Sequence, residues 1–518
     1  RIFKRKELFP VDFPQKSIII YSSKKTNQCS LPRRSCSGIA GAFQSERKGF
    51  MLRRKRQYEM DMCSGSLAGK LLLFALPLLA STILQLLFNA ADVIVVGRYA
   101  AQPAQALAAV GSNNALINLT INLFTGISIG ANVVVAQDLG AGRRDTVSRS
   151  IHTAITLAII SGVALSIFGV ICMRQLLEWM SSPEDVIGLA TLYMRIYFLG
   201  MPGNLVYNFG AALLRAKGDT QRPLRYLTAA GIINVILNLI LVIGFHLDVA
   251  GVAIATITSQ YISAGLVLRC LMKEEGVFHL DLHRLSIDRA MMNRMLRIGL
   301  PAGFQGIMFS ISNVIIQTGL NSFNDAAVVA GASASSSIEM FIYSIDSSIS
   351  QTALTFVSQN YGAGKCKRVD RIALLSQVYC LVGILVFSNL AYHFGAPLAS
   401  LYAPDQPEVI AQAVSRMYFM LCFQFLNGTM DVAANTIRGL GYSFSPMVVT
   451  LVGVCVFRLA WVAWVFPVLH SPESLYVSYP ISWTITTVIL FAIFFVIRKK
   501  AYARVQSFSL ASEDETQL

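Results

Sequence analysis

Charge is scarce in this chain. Only 14% of its 518 residues are Asp, Glu, Lys or Arg, against about 25% in a soluble domain, so a water-soluble globular body is excluded for most of its length. Histidine is rarer still, with six residues and no cluster. The nine cysteines, at 29, 36, 63, 172, 270, 366, 380, 422 and 455, contain no Cys-x-x-Cys pair, which argues against a zinc site and a disulfide framework. No phosphate-cradling glycine loop, zinc-protease helix motif or nucleophile elbow occurs. Those absences speak against an enzyme, a membrane-embedded one included. No cofactor is expected, and no nucleic acid. The chain does carry a net charge of +15, but residues 1–60 hold fifteen Lys/Arg against four Asp/Glu, hence +11 of it.

What is abundant is apolar sequence. Hydrophobic residues make up 54% of the chain. Runs long enough to cross a bilayer, roughly twenty residues each, recur near 71–96, 107–136, 151–173, 188–213, 226–245, 249–272, 296–320, 327–357, 372–396, 409–437, 446–468 and 476–497. The expected fold class is therefore an all-α polytopic membrane protein of about twelve transmembrane helices. Residues 1–63 read as a disordered basic extension without a signal-peptide core, with Met51, Met60 or Met62 as alternative starts. Residues 501–518 read as a cytoplasmic tail.

Basic residues fall in alternate loops. One side holds Arg143, Arg144 and Arg149, then Arg215, Lys217, Arg222 and Arg225, the stretch from Arg269 to Arg297, Lys365 to Arg371, and Arg498 to Lys500. The other side has little beyond Arg98 and Arg174. The positive-inside rule places the basic side, and both termini, in the cytoplasm. A multi-pass protein of a plasma membrane, of the bacterial inner-membrane type, is the expected setting.

The chain also repeats itself. Leu76-Pro77 is answered by Leu300-Pro301, and Gln137-Asp-Leu-Gly-Ala-Gly142 by Gln359-Asn-Tyr-Gly-Ala-Gly364. Arg215-Ala-Lys-Gly218 with Pro223 is answered by Arg438-Gly-Leu-Gly441 with Pro446. The spacing is about 223 residues each time, in the same order, as a gene duplication produces. Two six-helix lobes of parallel topology are expected, over 64–272 and 296–500, joined by a charged linker over 273–295. Pro77, Pro202 and Pro301 fall within spans and should kink them.

Polar residues inside the spans mark the protein's interior. In the first span Gln85, Asn89 and Asp92 share one helical face. A carboxylate at membrane depth costs about 2.5–3.5 kcal/mol on an insertion scale, so Asp92 reads either as a packing residue satisfied by neighbours or as a cation or proton site. Further stripes are Asn114, Asn118 and Asn122 in the second span, Asn234 and Asn238 in the fifth, and Asn313 and Gln317 in the seventh. The eighth carries Glu339, Tyr343, Asp346 and Ser350; the tenth carries Gln424, Asn427, Asp431, Asn435 and Arg438. Interhelical amide hydrogen bonds account for any single Asn; buried carboxylates demand a partner, a proton or a cation. Arg458 in the eleventh span is a candidate partner for Glu339, Asp346 or Asp431.

Taken together and in order, these motifs resemble the multidrug and toxic compound extrusion (MATE) family. The resemblance covers residues 64–500. It rests on Leu-Pro-x7-Gln at 76–85, Asn-Ala-Ala-Asp-Val-Ile-Val-Val-Gly-Arg at 89–98, the paired Gly-Ala-Gly loops, Arg-Ala-Lys-Gly-Asp-Thr at 215–220, and Asn234-x-x-x-Asn238. It implies two lobes forming a V around a central cavity, and an antiporter that exports small organic compounds, often cationic, driven by inward H⁺ or Na⁺. It also implies that Asp92, with Asn234 and Asn238, is the coupling site. Gln85, Asn89, Glu339, Tyr343, Asp346, Gln424, Asn427 and Asp431 would then line the cavity and the second lobe, with Asp431 matching the family's acid in the tenth span. Some members have Asn-x-x-x-Asp in the fifth span; here the second carboxylate is replaced by Asn238, which weakens the case for Na⁺ at Asp92 and favours H⁺. The alternative is a flippase for a lipid-linked oligosaccharide or cell-wall precursor. A channel would need neither the coupling acids nor the duplication. A monomer in the lipid bilayer suffices for either transporter.

Overall fold

The computed structural model describes residues 58–517 apart from 101–102 and 180–183; side chains are not described at 103–104, 107–108, 110–116, 184–185 and 508–517. The expected extension up to residue 57 lies outside the described residues. All regular structure among the described residues is helical. The first three spans are Leu67–Tyr99, Pro103–Gly140 and Arg144–Trp179. The fourth is a broken pair, Glu184–Leu199 and Met201–Lys217, bent by 45° at Gly200 and Pro202. The fifth and sixth are Gln221–Gly244 and Asp248–Lys273. The second lobe repeats the plan with Arg289–Asn321, Ala326–Gly362, Cys366–His393, the pair Pro407–Leu421 and Gln424–Gly439 bent by 40°, Phe444–Leu469, and Pro472–Gln517. Ten continuous spans and two bent ones make the twelve read from the apolar runs.

Two boundaries differ from expectation. Residues 58–63 are packed rather than disordered: Met62 is fully buried, and its carbonyl accepts from Asn360 Nδ2 at 3.1 Å and Arg368 Nη2 at 3.3 Å. Glu59 meets Lys217 at 2.5 Å, so this short strap touches the first lobe as well as the second. The linker ends sooner than 295, because Asp288 caps the seventh span at once, accepting from Ala290 N at 2.9 Å and Met291 N at 3.2 Å. Those backbone N–H groups, Met291 foremost, and Arg149 beside them hold the Asp288 carboxyl below the usual carboxylate range. Phe278 and Leu280 anchor the rest of the linker in the core of the first lobe.

The lobes meet along the second and seventh spans. Gly126-x-x-x-Gly130 lies against Gly299-x-x-x-Gly303, so close that a Cβ on Gly126 would stand 2.1 Å from Gly303 N, and one on Gly130 would stand 2.2 Å from the Met295 carbonyl oxygen. Small residues at this spacing let backbones touch where no hydrophobic force drives helices together in lipid. The duplicated Gly-Ala-Gly motifs pack on one another: a Cβ on Gly140 would meet Gln359 O at 2.0 Å, and one on Gly362 would meet Gln137 O at 2.0 Å. That reciprocity is what a two-fold axis between the lobes produces. Asp138, 1% exposed, accepts a two-pronged ion pair from Arg294 at 2.8 and 3.1 Å across the same seam. Asn122 adds a bond to Ser310 Oγ at 3.1 Å. These contacts run from the middle of the second span to its basic end. Beyond them, Asn118, Asn313, Gln317 and Tyr343 are exposed.

Candidate functional site in the two lobes

In the first lobe three spans converge on Asp92. Asn238 Nδ2 donates to its Oδ1 at 2.5 Å, and Thr256 Oγ1 donates to its Oδ2 at 3.3 Å. Asn234 completes the ring, accepting from Asn238 Nδ2 at 3.3 Å and donating to Thr256 Oγ1 at 3.4 Å. The four-residue step of the fifth span brings both amides to one face, and its backbone widens into a π-helix over Leu239–Gly244 immediately afterwards. Among the described residues no Lys or Arg pairs with Asp92. Tyr193 and Tyr197, stacked at 6.1 Å on the fourth span, stand close enough to feel its charge. Asn238 turns its amino group toward the acid, leaving its own Oδ1 buried and unpartnered.

The three residues assigned to coupling are thus brought together. Thr256 and the two tyrosines were missed, because a Thr or Tyr in an apolar span carries no signal of its own. Gln85 and Asn89 are exposed rather than part of this ring. Asn114 lies among the residues whose side chains are not described.

The second lobe holds two clusters. Asp346 and Asp431 lie carboxyl to carboxyl. Asn427 Nδ2 donates to Asp346 at 3.2 Å, and Cys380 Sγ sits 3.8 Å from the other oxygen. Like charges this close repel, and the amide and thiol donors beside them offset part of that repulsion. Arg438 is directed elsewhere, to Asn435 Oδ1 at 2.8 Å and to Gln305. Gln424 is buried with its Oε1 unpartnered, and Tyr343 borders Asp431.

Arg458 pairs with none of the three acids proposed for it. Glu339 is taken instead by Arg416 of the tenth span at 3.1 Å, which also donates to Ser335 Oγ at 3.0 Å. Arg416 precedes the bend at the middle of its span, and that bend aims it at the eighth span, which spacing along the tenth span could not reveal. Arg458 sits over Tyr479, its Cζ 3.8 Å from the ring centroid, and donates from Nε to Ser482 Oγ at 3.1 Å.

Comparison with known proteins bears on the family and the fold. A family model described as MatE matches residues 77–240 and, a second time, 301–464, so it finds one copy in each lobe. The probable multidrug resistance protein YoeA of Bacillus subtilis is 27% identical over 449 residues, covering 84% of this chain and 95% of that relative. An FAD transporter of Shewanella oneidensis is 27% identical over 403 residues, covering 75% and 86%. A solved structure described as the outward-facing conformation of a multidrug resistance MATE family transporter has a TM-score of 0.79 at 18% identity, covering 85% of this chain and 98% of that one. A repeated family match over most of both lobes, on a twelve-span fold of this topology, makes this chain a member of the MatE family of membrane transporters.

Proposed function

We propose that this transporter exports small organic solutes, amphipathic cations above all, in exchange for an inward cation, with Asp92 as the coupling acid. The observation that carries the reading is an intramembrane carboxylate held by two donors and, among the described residues, by no basic side chain. Such a group changes its need for water when it takes up a cation or proton. If one arrangement of the first lobe suits the loaded acid better, loading shifts the equilibrium by that difference in affinity. The names of the relatives, multidrug resistance protein and FAD transporter, support organic solutes as cargo. A cavity between the lobes lined by amides and aromatics would suit cations through cation–π attraction.

The coupling ion in this reading is the proton. Na⁺ exchanges its water for several oxygen ligands, whereas the Asn238 amino group faces Asp92 and donates to it. A proton needs only the carboxylate. The test uses liposomes with an imposed pH gradient and no Na⁺: uphill export is expected, and export that appears only with a Na⁺ gradient overturns the assignment.

Orientation follows from the basic loops. With that side in the cytoplasm, the glycine seam closes the inner face and the cleft opens outward. Cys366 lies on the basic side and is half-buried. In a variant keeping it as the sole cysteine, an impermeant thiol reagent should label it only after the membrane is opened; labelling of intact cells would reverse the topology.

Asp431→Asn is expected to weaken export of cationic solutes by about tenfold, or about 1.4 kcal/mol, without loss of folded protein. The amide can still donate to Asp346, so the fold keeps its contact while one of the two carboxylates is lost. Unchanged counterflow for every cation tested would make the pair structural.

A further inference from the structure

The duplication allows the two lobes to be compared position by position. The family match runs from 77 to 240 in one lobe and from 301 to 464 in the other, so equivalent positions lie 224 residues apart at both ends of the match. In that frame Asp92 corresponds to Ile316, a buried apolar residue, and Asn234 falls at Phe457 or Arg458, since Arg215/Arg438 and Pro223/Pro446 lie 223 apart. The backbone is treated alike in both lobes: a π-helix follows Asn238 over Leu239–Gly244, and π-helices over Leu451–Val456 and Trp461–Val465 flank Arg458. Such irregular turns within helices gather at functional sites. Where the first lobe keeps an acid with amides, the second keeps a base that, among the described residues, forms no ion pair.

That base is incompletely satisfied. Arg458 is 3% exposed. It makes one side-chain hydrogen bond, from Nε to Ser482, and is stacked on Tyr479 with Trp483 at 5.8 Å. Its Nη2 is buried with no hydrogen-bond partner. Among the described residues it pairs with no carboxylate; Glu339 is near enough to be felt but is bound to Arg416. Guanidinium offers a planar fork of donors shaped for an oxyanion. Tyr479, which covers it, donates through its hydroxyl to Asn313 Oδ1 at 3.4 Å, and Asn313 is exposed on the seventh span. Tyr479 thus links the buried guanidinium to an exposed polar residue.

We propose that Arg458 is an anion site, the counterpart of opposite sign to the Asp92 site, and that it receives the carboxylate or phosphate group of the transported solute. The cleft is then bipolar, and zwitterionic or anionic organic solutes are cargo alongside cations. This rests on the reading of the chain as an exporter, and the test separates the two.

Rhodamine 110 carries a free carboxylate, and rhodamine 123 is its methyl ester. Binding of each to the purified full-length chain in nanodiscs is followed by the dye's fluorescence polarisation, and counterflow of each is followed in liposomes. The carboxylate dye is expected to bind at least tenfold tighter than the ester. Arg458→Gln should abolish that preference and leave ester binding unchanged, which also reports that the variant is folded; Arg458→Lys should keep part of it. Inorganic phosphate is the second probe. Competition by millimolar phosphate against the carboxylate dye in the parent chain, absent in Arg458→Gln, supports an oxyanion site at this residue. Equal affinity for the two dyes, no binding of the carboxylate dye, or a preference that survives Arg458→Gln overturns the proposal. So does phosphate binding that leaves the carboxylate dye undisturbed, which would mean a site for the free anion alone. Counterflow of the ester without a carboxylate preference would leave the exporter reading standing while the anion site falls. Preferential binding without counterflow of either dye would do the reverse.

Discussion

Asp92→Asn is expected to abolish uphill export while solute binding stays within about threefold of the parent, because the substitution removes only the proton or cation site. The replacing amide keeps an oxygen able to accept from Asn238 or Thr256, so the ring that now holds Asp92 at 2.5 and 3.3 Å retains most of its geometry. It cannot ionise, so the first lobe is left permanently in its loaded form and the gradient has nothing to act on. Stability should not fall, since a carboxylate at membrane depth costs about 2.5–3.5 kcal/mol and the amide is cheaper to bury. The measurements are export under an imposed pH gradient, solute affinity in nanodiscs and the thermal midpoint. Uphill export at the parent rate would make Asp92 a packing residue.

The second large effect is expected at the lobe seam. In Gly126→Val the new Cβ would fall 2.1 Å from Gly303 N and 2.3 Å from Gly303 Cα. Those are backbone atoms, so no rotamer change relieves the clash; the second and seventh spans have to separate. Overpacking a core ordinarily costs about 1–3 kcal/mol, and here it is concentrated on the contact that closes the basic end. Counterflow should drop by at least about tenfold, with a lower thermal midpoint. Gly69→Val is the control, since nothing stands within 4 Å of a Cβ there and the residue lies at the start of the first span. Parent-like transport in Gly126→Val would show that the seam does not set the closed state.

Twelve spans were legible in the sequence because hydropathy is a local property: each run of about twenty apolar residues must cross. The duplication was legible because Gln137 to Gly142 and Gln359 to Gly364 are separate strings that share four of six letters. The alignment of Gln85, Asn89 and Asp92, or of Asn234 with Asn238, follows from helical periodicity alone. Which face meets which neighbour is set instead by helix rotation, crossing and bending, and these depend on packing along the whole length of two spans. So only the tertiary structure could supply Thr256 to Asp92, join Asp346 to Asp431 with Cys380 beside them, hand Glu339 to Arg416, and leave Arg458 on Tyr479 without an acid. It also supplied the reason for the repeated Gly-Ala-Gly strings: each copy is the surface against which the other closes, and glycine is what a backbone approach of that kind requires.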